Sequence, residues 1–206
     1  MIILGIDPGT ATTGFGCIRI TDTSAVTGKG LEVIEWGLIE TDKELLKEER
    51  LEIIFEKILV LIQKFKPDVF VFEKVFFSNN AKTVIAVGQA QGVMLLAARK
   101  LNIFVAEYAP GTIKKMITGS GRANKKEVQE HVRRILGDKV KSDQRIKKTH
   151  FDNAADALAI AMTHAMKMAE SVMDSVNSVK SAKPVKSVKT AKLSTPSRQS
   201  KLKAHV

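Results

Sequence analysis

The chain has 206 residues, of which 33 are Lys or Arg and 22 are Asp or Glu, giving a formal net charge of +11, and 44% are apolar. This length and apolar content suit one domain with its own core plus a tail. The one cysteine, Cys17, excludes an internal disulfide framework and fits a reducing cytosol; the N-terminus reads as a strand rather than a leader, and no apolar stretch reads as approaching the roughly 18 residues of a membrane span, so a cytoplasmic protein with no membrane segment is expected.

In chain order, Ile2–Asp7 reads as a buried strand, and residues 14–20 and Leu31–Glu40 as two more. The turns between them are short enough for antiparallel neighbours. Thr41 or Asp42 would cap a helix running to Phe65, with Leu45, Leu46, Ile53, Ile54, Ile58, Leu61 and Ile62 on its apolar face. Lys66-Pro67 ends that helix. Residues 68–73 read as a strand, 80–101 as a long helix and 103–107 as a strand. Pro110–Thr118 and residues 124–136 form shorter helices, and 153–169 the last one. The order βββαβαβ followed by helices predicts an α/β fold: a mixed five-stranded sheet with helices on both faces. From Asp174 the apolar periodicity fades into Ser, Lys, Val, Thr and Pro, with a loose Val-Lys-Ser repeat. The chain therefore divides into a folded domain, 1–173, and a basic tail, 174–206, expected to be disordered.

The positive charge is concentrated. Residues 114–148 hold twelve basic and four acidic side chains, residues 174–206 eight basic and one acidic, and the remainder sums to −4. Such clustering is the electrostatic footprint of a nucleic-acid-binding surface. Lys114, Lys115, Arg122, Lys125 and Lys126 are the candidates for phosphate contacts, which position DNA without reading its sequence. The tail lysines would add affinity without specificity.

Three acids stand out against this background. Asp7 ends the apolar run Ile2-Ile3-Leu4-Gly5-Ile6, and Glu73 ends Val69-Phe70-Val71-Phe72. Asp156 lies inside Ala154-Ala155-Asp156-Ala157-Leu158-Ala159-Ile160-Ala161. An ionised carboxylate beside a core is costly unless it is paired or binds a cation. Asp7 and Glu73 end strands at their C-terminal sides, where open α/β sheets place ligands. Three such acids converging would form a site for a divalent metal. Mg²⁺ prefers hard oxygen ligands and retains several waters, so few protein ligands suffice. Of the adjacent Phe76 and Phe77, alternation leaves one exposed and able to stack on unpaired bases.

These residues also carry a resemblance. Ile3-Leu4-Gly5-Ile6-Asp7-Pro8-Gly9-Thr10 with Thr13-Gly14-Phe15-Gly16 resembles the opening of the bacterial Holliday-junction resolvase family RuvC. So do Glu73-Lys74-Val75-Phe76-Phe77, Gly88-Gln89-Ala90-Gln91-Gly92-Val93, Glu107-Tyr108-Ala109-Pro110 and Asn153-Ala154-Ala155-Asp156. The likeness is colinear from Met1 to about His164 and leaves out the tail. It implies a ribonuclease-H-like fold, a homodimer, and a Mg²⁺-dependent endonuclease that nicks four-way DNA junctions in recombination and repair. It further implies a branch-migration complex, RuvA and RuvB, as partner. By resemblance, the metal ligands fall on Asp7, Glu73, Asn153 and Asp156, the family's aromatic residue on Phe76, and its two cleft lysines on Lys114 and Lys125. The implied chemistry uses two Mg²⁺ ions about 3.5–4 Å apart, for which Mn²⁺ could substitute. Asn153 departs from the family, which usually carries an aspartate or histidine there. Its amide oxygen could ligate Mg²⁺ but brings no charge, and Asp152 is the alternative fourth ligand.

Two rivals belong to other classes. Asp-x-Gly-Thr after a first strand also opens actin- and sugar-kinase-like ATPases, but these need a second domain and another phosphate loop. A junction-binding scaffold that keeps the fold without the chemistry is the other, and Asn153 gives it some weight.

Overall fold

The strands Ile2–Asp7 (β1), Thr12–Ile20 (β2), Leu31–Glu40 (β3), Val69–Glu73 (β4) and Phe104–Tyr108 (β5) form one sheet of order β3-β2-β1-β4-β5 in this computed structural model, which describes residues 1–75, 81–137 and 148–181. β1, β2 and β3 are antiparallel neighbours, while β4 runs parallel to β1 and β5 parallel to β4. The expected mixed sheet is therefore present. The parallel pairs are joined through helices, as parallel strands require.

Alternation along the strands loads both faces. Leu4, Ile6, Phe15, Cys17, Phe70 and Phe72 point to one side, where helices Lys47–Phe65 (α1) and Ala81–Lys100 (α2) cover them with Ile54, Ile58, Ile62, Met94 and Ala97. Ile3, Ile18, Val69 and Val71 point to the other. There they meet helices Pro110–Thr118 (α3), Lys125–Leu136 (α4) and Lys148–Ser181 (α5). α5 lies directly on β1 and β2 because both strands lack side chains at the crossing. A Cβ on Gly5 would stand 2.3 Å from the Ala157 carbonyl oxygen, and one on Gly16 2.9 Å from the Leu158 amide nitrogen.

Four expectations need correction. α1 begins at Lys47, not near Asp42; Leu45 and Leu46 precede it, and Leu46 is exposed. The Asp42 side chain instead accepts from the Glu44 amide in a local turn, and Glu49 reaches back to the Leu46 amide. A 3-10 helix at Thr23–Thr27, capped by Asp22, stands where only a turn was expected. α5 runs to Ser181, so residues 174–181 are helical rather than part of an unstructured tail; residues 182–206 lie outside the described part. Its extension has a simple cause: no Gly or Pro occurs between Lys148 and Pro184. Finally, α2 does have the length and hydropathy of a membrane-spanning helix, with a mean hydropathy of 1.3. It is nonetheless a partner of α1 in the core, burying Ala90, Met94, Ala97 and Ala98.

Candidate active site

Asp7 is held at the edge of the core by a rigid turn. Thr13, fully buried, donates its hydroxyl to the Gly9 carbonyl at 2.7 Å, and Thr41 donates to the Thr10 carbonyl at 2.6 Å. Gly9 cannot be replaced without collision, since a Cβ there would lie 2.2 Å from the Thr12 carbonyl oxygen. One residue beyond the Ile6–Phe72 pair of the parallel ladder, β1 ends in Asp7 and β4 in Glu73. α5 brings Asp156 against them from above, next to the Ala157 that packs on Gly5.

The three acids line one cleft of about 320 Å³ together with Lys114, Lys125, Pro110, Ile113, Val128, Ala159 and Ile160. A second depression of about 290 Å³ adjoins it, sharing Asp7, Glu73 and Pro110 and reaching Lys74 and Val87. Lys125 is the first residue of α4. Asn124 caps that helix, accepting from the Glu127 amide at 3.0 Å while Glu127 accepts from the Asn124 amide at 2.9 Å. From that fixed start, the Lys125 ammonium reaches Asp156 at 2.6 Å.

The electrostatics are those of crowded acids. The Asp7 carboxyl is pushed up to about 7, first by burial, then by the charges of Asp156 and Glu73, with Lys125 opposing. Glu73 is raised for the same reasons, burial first and Asp156 next, and Lys114 and Lys125 pull it back. A carboxyl whose charge is disfavoured first by burial and then by neighbouring acids is one that a cation would return to its charged form. Among the described residues, no three acidic, histidine or cysteine side chains are close-set enough to enclose an ion as they stand. The donor set, oxygen-only and mutually repelling in a half-dry cleft, nevertheless fits a hard divalent cation that keeps several waters.

This gives a pH prediction. The ordinary Asp7 value of 3.8 is raised to about 7 on folding. Its proton therefore favours the folded state at low pH, and that stability is lost as pH rises through the window from about 4 to about 7. In chelator, the melting temperature of the wild type should fall across that window more steeply than that of Asp7→Asn. Parallel slopes in differential scanning calorimetry would contradict the assignment.

Of the residues expected from sequence, the cleft brings together Asp7, Glu73, Asp156, Lys114 and Lys125. Lys115 and Arg122 are exposed and outside the cleft lining. Phe76 lies outside the described residues. Asn153 is on α5, one turn before Asp156, but its side chain, like that of Asp152, also lies outside them. Sequence reading missed the Lys125–Asp156 ion pair and the apolar wall of Pro110, Ile113, Val128 and Ile160. It also missed the Tyr108 hydroxyl, 2.9 Å from His164 Nδ1, which ties β5 to α5.

A five-stranded mixed sheet of this order, with acids at the ends of its central parallel strands and a third acid from the covering helix, defines a ribonuclease-H-like nuclease. Residues 3–164 match the sequence model of the family described as crossover junction endodeoxyribonuclease RuvC. The crossover junction endodeoxyribonuclease RuvC of Thermotoga petrophila is 43% identical over 167 residues, 81% of this chain and 93% of that protein. The structure of Thermus thermophilus RuvC in complex with Holliday junction substrate superposes with a TM-score of 0.71 at 30% identity, covering 83% of this chain and 96% of that one. The yeast mitochondrial Holliday junction resolvase Ydc2, at 16% identity and a TM-score of 0.64 over 86% of this chain and 82% of its own, shares the fold. The chain belongs to the RuvC family of crossover junction endodeoxyribonucleases. It is a structure-specific DNA endonuclease, and membership of that family implies dependence on a divalent metal.

Proposed function

We propose that the protein resolves four-way DNA junctions by paired symmetric nicks, using Mg²⁺ held by Asp7, Glu73 and Asp156, with Asn153 as the fourth ligand. The observation that carries this reading is the acid cleft itself, bounded by Lys114 and Lys125, in a chain that matches the family from residue 3 to residue 164. When bound, two such ions would activate a water and stabilise the leaving oxygen of a phosphodiester. The protein's own groups do the rest. Lys114 and Lys125 hold the phosphate at the cleft mouth, Lys115 and Arg122 extend the basic track, and Phe76 stacks on an unpaired base at the branch point. The apolar wall of Ile113, Val128 and Ile160 keeps bulk water from one side of the acids.

The test is a synthetic four-way junction incubated with Mg²⁺. Nicks should appear at symmetric positions across the branch point, and a linear duplex of the same sequence should survive. Tight junction binding with no nicking in Mg²⁺ or Mn²⁺ would instead establish the scaffold reading.

Paired nicks need two equivalent sites, so the same reading includes a two-fold homodimer. The outer stripe of α2 supports it. Ile85, Gly88, Gly92 and Leu96 fall within one narrow arc of the helix. Ile85 and Leu96 are 60% and 54% exposed, and a Cβ on either glycine would meet nothing within 4 Å. Two such stripes can approach closely, backbone against backbone. Gly92→Leu should therefore give the monomer mass by light scattering and abolish paired nicking, with the fold intact by circular dichroism. A Gly92→Leu protein that keeps the wild-type mass would count against this interface. The branch-migration proteins RuvA and RuvB, and action on DNA in the cytoplasm, belong to the same reading by family resemblance.

A further inference from the structure

We propose that Lys125 is a tethered counter-ion for Asp156: it holds that carboxylate until a divalent cation displaces it, and the released ammonium is thereby handed to the DNA phosphate at the cleft mouth. The proposal rests on the reading that the acid cleft takes a divalent cation.

The contact itself is the first ground. Lys125 Nζ lies 2.6 Å from Asp156 Oδ2, and the two residues come from different helices. An ammonium so close occupies one of the lone-pair directions that a metal ion would use. A second cation on the same carboxylate would stand within a few ångströms of the first, at strong mutual repulsion in a partly dry cleft. Binding at Asp156 is therefore an exchange of cations rather than an addition.

The mounting of Lys125 is the second ground. Asn124 and Glu127 cap each other's amides, and Val128, Val132 and Leu136 anchor α4 in the core. The helix start is fixed, so the lysine can leave only by rotating its own four-carbon stem. The side chain is 60% exposed whereas that of Asp156 is 21% exposed, so the lysine borders solvent into which its stem can rotate and the acid is the more enclosed of the two. Lysine suits such a role because it is a compact charge on a flexible stem.

The third ground is placement: Lys125 lines the same cleft as Asp7, Glu73 and Asp156, so its ammonium stands in the space a metal ion would enter. Asp7 and Glu73 both feel the negative charge of Asp156 and both are relieved by Lys125. A built-in cation keeps the acids together before metal arrives. Its departure then couples metal loading to the appearance of a free phosphate-binding charge beside the same site.

Lys114 supplies the control. It lines the same cleft and acts on Glu73, so its removal changes the local field much as the removal of Lys125 does. If Lys125 acted only through that field, the two lysines would be equivalent. Exchange predicts that they are not.

The experiment measures Mn²⁺ binding to the full chain without DNA, by the electron paramagnetic resonance signal of free Mn²⁺. Lys125→Met should tighten binding by about fivefold, as expected for removing a half-exposed competing ion pair, and Lys114→Met by less than about twofold. Lys125→Gln, which keeps a polar tip, should behave like Lys125→Met. Equal effects of the two lysines, or unchanged or weaker binding in both Lys125 variants, would overturn the exchange. Asp7→Asn, run in parallel, separates this from the underlying reading: if it leaves Mn²⁺ binding unchanged, the metal site itself is misplaced and the exchange falls with it. A second readout uses lysine acylation followed by mass spectrometry. Mg²⁺ should raise the reactivity of Lys125 in the wild type, and a reactivity that stays constant or falls would contradict its release.

Discussion

Replacing Asp7 by asparagine is expected to lower junction cleavage by about 10³-fold or more while leaving junction binding intact. The substitution preserves size and shape but exchanges one accepting oxygen for an NH₂ donor and removes the charge at the junction of the two central strands. The Asp7 carboxyl is pushed up to about 7, first by burial and then by the charges of Asp156 and Glu73. A cation there would relieve that repulsion, and an amide cannot recruit it as well. Binding should persist if, as proposed, it rests on basic side chains rather than on the acids, and the loss of a negative charge can only favour DNA. The same change should stabilise the metal-free protein at pH 7, since the folded state no longer suppresses ionisation of a buried carboxyl. Gel-shift titrations, single-turnover cleavage and calorimetry on one preparation check all three. Binding lost together with cleavage would mean that Asp7 supports the fold rather than the chemistry.

Gly5→Ala should destabilise the protein by about 3 kcal/mol and cut activity by more than the loss of folded molecules explains. The new methyl would lie 2.3 Å from the Ala157 carbonyl oxygen and 2.7 Å from the Ala161 amide nitrogen. Both are backbone atoms of α5, so no rotamer change can relieve the clash, and the helix must move off β1. Asp156 is the immediate neighbour of Ala157, so any such shift carries the third acid away from Asp7. Urea denaturation and cleavage assays well below the unfolding midpoint separate the two effects. A stable variant with wild-type activity would show that α5 is not fixed to β1 as described.

Much of the site was legible because its signals are local. Asp7 and Glu73 interrupt apolar strands at their last position, and Asp156 interrupts a run of alanines. Each is conspicuous in a core-facing segment without knowledge of the partners. The mixed five-stranded sheet, though not its strand order, followed from the same runs and the helices between them. What was not legible depends on contacts between distant segments. The Lys125–Asp156 pair joins the first residue of one helix to another helix 31 positions on, and nothing in either segment announces the other. The start of α1 was misread because Leu45 and Leu46 continue its apolar spacing, although a local turn at Asp42 intervenes. The end of α5 was misread because fading apolar periodicity was taken as a stop signal, although no glycine or proline interrupts the chain between Lys148 and Pro184. α2 escaped notice as a span-like helix because its apolar residues are interleaved with Gly, Gln and Lys rather than forming one unbroken run.

The central claim is that Asp7, Glu73 and Asp156 together hold the cation that cuts DNA. Crystals of the full chain soaked in Mn²⁺ test it most directly, through anomalous diffraction at the manganese edge. The account predicts a peak bounded by those three carboxylates, with Lys125 turned away from Asp156, and no such peak in Asp7→Asn crystals. Manganese held elsewhere in the wild type, with the Lys125–Asp156 pair intact and the three acids bare, would contradict it.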